Sequence, residues 1–179
     1  MSDTEKKNNS SKKVGIILVV IAIIAAVAVA VFSGSLFGGY DTPKKFTADE
    51  MSINLTDDFS QSHGGKYIAC FDSKKVSVFV NKEAFDPETG MEQMTVEEFG
   101  KMIIDNNSIK TTGLKQKDDL TYFISTHSET GSNAVFEYYT FIYKTNSDFW
   151  IFQFSTPKKE TDKFSPMVFK WAESVEFAE

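Results

Sequence analysis

The chain has 179 residues, one cysteine, two histidines and 19 basic residues that are all lysine, against 25 acids, for a net charge of −6. That length fits one domain with an appendage, and a lone cysteine excludes an internal disulfide framework or a multi-cysteine zinc site. The acidic balance argues against a broad nucleic-acid footprint, and without arginine there is no bidentate guanidinium clamp for phosphate.

Residues 1–13 form a lysine-rich tail, with Lys6, Lys7, Lys12 and Lys13 set against Asp3 and Glu5. The run Val14 to Phe32 follows, 19 residues without a charge. As a helix it would span roughly 28 Å, close to the hydrocarbon core of a bilayer. Its 13 Val, Ile, Leu and Phe side chains favour insertion by about 4–8 kcal/mol. The next lysines, Lys44 and Lys45, stand more than ten residues beyond it. The positive-inside rule therefore predicts a single-pass protein of the cell membrane, its N-terminus cytoplasmic and its C-terminal part extracellular. A competing reading is a cleaved signal peptide and a secreted domain, with Ala28-Val29-Ala30 and Ser33-Gly34-Ser35 as small-residue cleavage sites. Residues 33–45, rich in Gly and Ser, read as a flexible linker.

Residues 46–179 carry 13 lysines and 22 acids, a net charge of −9. Met51, Ile53 and Leu55 alternate in EMSINLT, as do Tyr67, Ala69 and Phe71 in KYIACFD and Val76, Val78 and Val80 in KVSVFVNK. LTYFISTHS, AVFEYYTFIYK and DFWIFQFST are three more β-rich runs, separated by short polar loops that imply antiparallel pairing. A helix is predicted in TVEEFGKMIIDNN, opened by a Thr95/Glu98 capping box. A second is predicted in KFSPMVFKWAES, with Ser165 as cap and Pro166 at the first helical position. A short strand, Val175 to Phe177, closes the chain. The pattern predicts an α+β fold, an antiparallel sheet flanked by helices.

The stretches EMSINLTDDF, MTVEEFGKMI, DFWIFQFSTP and FSPMVFKWAESVEF, in that order, resemble the PsbP-like superfamily, which includes DcrB-like and other exported bacterial domains. The resemblance covers about Phe46 to Phe177 and implies an α/β/α sandwich around a twisted antiparallel sheet. Many such domains are lipoproteins or membrane-tethered without an assigned activity. This chain differs from the lipoprotein type in having an apolar span and no lipid-bearing cysteine.

No nucleophile elbow, HExxH pair or phosphate loop occurs. His63, beside Gly64-Gly65, reads as a turn residue, and His127 as a surface histidine beside a hairpin. Asp57-Asp58, Asp118-Asp119 and the segment Asp86 to Glu92 read as turn acids rather than calcium ligands. Cys70 falls in an alternating apolar run and reads as a buried, inert thiol. Trp150 and its phenylalanine neighbours read as core rather than a sugar platform. No catalytic, cofactor-binding or metal-ligating residue is assigned, and no cofactor is expected. The expected role is non-enzymatic binding or assembly, with the bilayer engaged through Val14–Phe32 and a protein or cell-envelope component as partner. The alternative is a cell-envelope enzyme or metal-binding protein using His63 or His127.

Overall fold

A computed structural model describes residues 42–62, 65–129 and 133–178. The tail 1–13, the apolar run Val14–Phe32, the linker as far as residue 41, and His63 lie outside the described residues. In chain order the elements are β1 (Pro43–Ala48), β2 (Met51–Thr56), β3 (Ser60–Ser62), β4 (Ala69–Asp72), β5 (Ser77–Ala84), α1 (Val96–Asn106), β6 (Lys115–Lys117), β7 (Leu120–Ser128), β8 (Val135–Lys144), β9 (Asp148–Pro157), α2 (Thr161–Glu173) and β10 (Glu176–Phe177).

The strands form two antiparallel sheets rather than one. The smaller has the order β1-β2-β10, the larger β3-β4-β5-β9-β8-β7-β6. β9 sits at the centre, and its side chains alternate between the two faces of the large sheet. Trp150, Phe152 and Phe154 join Phe71, Val78, Val80, Tyr139 and Phe141 in a core closed by Phe164, Val168, Trp171 and Ala172 of α2. The small sheet adds Met51, Ile53 and Leu55 to the same core. On the opposite face Phe149 and Ile151 meet Phe123, Ile142 and the α1 residues Phe99 and Ile103. The result is an α+β fold with one helix on each face of the large sheet.

α1 begins as its sequence dictates. The Thr95 side chain accepts from the Glu98 amide at 3.2 Å, and the Glu98 carboxylate accepts from the Thr95 amide at 2.8 Å. The first four amides of any helix have no intrahelical acceptor and need such partners. Phe99 then stacks flat on Phe149, with centroids 4.0 Å apart.

α2 departs from expectation. It starts at Thr161, so Pro166 lies inside the helix rather than at its first position. Phe164 is fully buried, and with Val168, Trp171 and Ala172 it makes one stripe at helical spacing. Burying that stripe requires helix upstream of Ser165, and the missing proline amide removes only one bond of the ladder. At the other end the Tyr143 hydroxyl donates to the Ala172 carbonyl at 2.8 Å, joining β8 to the last turn.

Strand β1 also begins earlier than composition suggests, taking Pro43 to Lys45 out of the presumed linker. Asp49, at φ 52°, makes the turn into β2, and Lys82 reaches across from β5 to the Asp49 carboxylate at 2.6 Å.

Candidate functional site

The α1 face of the large sheet changes character halfway along its strands. Reading β9 in steps of two, Phe149 and Ile151 are followed by Gln153 and Ser155. Ladder pairing sets Gln153 beside Phe79 and Thr140, and Ser155 beside Ser77 and Tyr138. Cys70 lies beyond Phe79, and Ser125 beyond Tyr138. Where α1 packs, the face is apolar; further along the strands it becomes a strip of hydroxyl, amide, thiol and aromatic groups.

These polar side chains are buried. Thr140 is 0%, Ser125 2%, Tyr138 2% and Gln153 4% exposed. A buried polar strip is informative because such groups are retained only with hydrogen-bond partners. Gln153 Nε2 donates to Thr140 Oγ1 at 3.2 Å. Tyr138 stands opposite Ser155 in the ladder. His127 Nε2 lies 3.2 Å from Ser125 Oγ, its ring edge-on to Tyr138 with centroids 5.3 Å apart. Tyr67 packs on Phe79, centroids 5.0 Å apart.

The electrostatics of the strip favour neutral groups throughout. Burial, with Cys70 and Tyr138 adding to it, pushes the Tyr67 phenol up to about 12. Burial and then the Asp72 carboxylate push the Cys70 thiol up to about 11. Burial raises Tyr138 and lowers His127. Each shift selects the uncharged form at neutral pH, because desolvation penalises charge. Such a strip holds neutral hydrogen bonds within the fold. It does not supply a thiolate nucleophile, since the reactive form of cysteine is the anion.

His127 is therefore not the surface residue expected beside a hairpin. It is half-buried at the end of the strip, and the strand register explains why: it pairs with Phe136, one step beyond the Ser125–Tyr138 pair. Cys70 is buried as expected. Trp150 is 1% exposed and belongs to the core. Asp118, at φ 52°, turns the chain between β6 and β7. Asp86 accepts from the Glu88 amide at 2.9 Å, closing its own loop. Among the described residues no three His, Cys, Asp or Glu side chains converge on a metal position. Tyr67 reads from sequence only as an alternating strand residue, and Tyr138, Gln153 and Ser155 are not singled out there. Their one signal was the glutamine in DFWIFQFST, which breaks an otherwise apolar central strand.

No family model matches the chain, and no curated protein sequence matches it. Solved structures do. The solution structure of cyanobacterial PsbP (CyanoP) from Synechocystis sp. PCC 6803 superposes with a TM-score of 0.53 at 13% identity, covering 81% of this chain and 97% of that one. A crystal structure from Bacteroides thetaiotaomicron VPI-5482 gives a TM-score of 0.53 at 15% identity and covers 76% of this chain. This chain spans 48% of that protein, about half its length. The fold is thus PsbP-like, and at these identities the likeness defines the fold alone.

Proposed function

We propose that this chain is a membrane-tethered binding or assembly domain that works outside the cell and without catalysis. Residues 14–32 are its bilayer anchor, residues 1–13 its cytoplasmic tail, and the PsbP-like unit its working part. The observation that carries this reading is the lysine-flanked, charge-free run Val14–Phe32 just ahead of an independently cored domain. No helix among the described residues is long and apolar enough to span a membrane.

Two measurements test it together. The protein should stay in the membrane fraction through an alkaline carbonate wash, with Met1 or Ser2 as its N-terminus. Protease added to intact, wall-stripped cells should digest the C-terminal domain. Complete protection of the domain overturns the orientation. A mature N-terminus near Val31 or Leu36 establishes the secreted form instead.

The enzyme reading draws on one contact, the Ser125–His127 pair. Among the described residues no carboxylate reaches the other His127 nitrogen, and Ser125 is only 2% exposed. Nucleophile and base need both an orienting group and substrate access, so binding is the reading we adopt.

A further inference from the structure

We propose that a cleft on the α2 side of the large sheet, at its β6 edge, binds a small soluble oxyanion that carries hydroxyl groups, a sugar acid or sugar phosphate in size and chemistry. The cleft is open to solvent and holds about 490 Å³, and its wall is the segment from Lys110 to Lys115 that runs from α1 into β6. Its floor is Ile124 and Thr126 of β7 with Glu137 of β8. Small-molecule sites have volumes of roughly 300–1,000 Å³, so a hexose-sized ligand fits.

The charge of the lining selects the ligand. Lys110 and Lys115 both line the cleft, and neither has a carboxylate partner among the described residues. Glu137 is the one acid, and it already accepts from the Tyr139 hydroxyl at 3.0 Å. Two ammoniums against one carboxylate leave the cleft at +1, inside a domain whose net charge is −9. A local excess of the minority sign attracts anions.

The hydroxyls define the rest. Thr111, Thr112 and Thr126 line the same space. The Thr111 backbone is held by a bridge to Ser125, while its Oγ1 is buried and has no hydrogen-bond partner. Its bridge partner Ser125 faces the α1 side, so the hydroxyls that meet a ligand in the cleft are those of Thr112 and Thr126, both exposed. Ile124 offers an apolar surface to a sugar ring. Glu137 accepts from a ligand hydroxyl and repels a second anionic group. One anionic head, a ring and two or more hydroxyls match Lys110, Lys115, Ile124, Glu137 and the two exposed threonines.

The test uses the full chain, ¹⁵N-labelled, in non-ionic detergent. D-glucuronate and glucose 6-phosphate should move the amides of Thr111, Thr112 and Thr126. The Lys110→Ala/Lys115→Ala double variant should weaken binding about tenfold, and added salt should weaken it further. The proposal is overturned if neither ligand moves those amides at about 20 mM, a concentration far above any useful affinity. It is equally overturned if neutral glucose binds as well, or if the double variant binds like the parent. If phosphatidylglycerol in the micelles moves the same amides and the soluble sugars do not, the oxyanion comes from a lipid headgroup and the soluble ligand is excluded.

Discussion

A single histidine illustrates how position on a strand decides chemistry. His127 is desolvated beside Tyr138, and its pKa is lowered by that burial. The folded state therefore holds it neutral, whereas the unfolded chain protonates it near pH 6.5. Below that pH the unfolded state binds more protons, so the His127 contribution to stability is present above about pH 6.5 and is lost as pH falls toward the depressed folded value. Glu98, Glu160 and Glu176 are held below the usual carboxylate range by hydrogen bonds from Thr95, Lys75 and Lys45 respectively. Their contributions fade only at and below about pH 4.5, outside the histidine window. Urea midpoints should thus fall from pH 7.5 to 5.5 in the parent and fall less in His127→Gln. Equal slopes in the two proteins would remove His127 from the account. His63 is present in both and cancels.

At the scale of one element, α1 has a close approach built into it. A Cβ at Gly100 would stand 2.8 Å from Leu114 Cδ1 and 2.9 Å from Ile142 Cδ1. Replacing a mid-helix glycine by alanine gains about 1 kcal/mol of helix propensity, while overpacking a core costs about 1–3 kcal/mol. Leu114 is half-buried and can swing outward, but Ile142 is 3% exposed and cannot. The packing cost should win, and we expect Gly100→Ala to lower stability by about 1 kcal/mol in urea unfolding. A variant more stable than the parent would show that Ile142 does yield. The same contrast between centre and edge explains what the sequence made legible. β5 could be read from its alternation, and β7, β8 and β9 from their density of aromatic and β-branched residues, because these strands carry the core. β3 and β6, with sequences SQS and KQK, are exposed at every position and were not predicted. Edge strands are held by backbone bonds to one neighbour, and short polar or lysine-bearing edges resist further pairing, so hydrophobic periodicity carries no trace of them. The polar strip was illegible for a related reason. Its residues are scattered over five strands, and only the ladder register gathers them.

For the molecule as a whole, Trp171 is the residue where the pieces meet. It is 4% exposed, edge-on to Phe59 at 5.2 Å and parallel to Phe154 at 6.4 Å. It therefore links α2, the central strand and the segment between the two sheets. The fragment 43–178 should unfold in urea as one cooperative step, and Trp171→Ala should cost about 3–5 kcal/mol. Two separate transitions in the fragment would show that the sheets are independent units. The pairing of β10 with β2 has a mechanical consequence. Pro43 opens β1 and Ala178 follows β10, yet both strands flank β2 in the small sheet, and the Ala178 amide donates to the Glu50 carbonyl at 2.7 Å. Tension applied between those two points loads the small sheet first. The two-residue β10, with two register pairs to β2, peels away before any force reaches the seven-stranded sheet. Pulled by its ends, the domain would part at its last strand and leave the strip and the cleft standing.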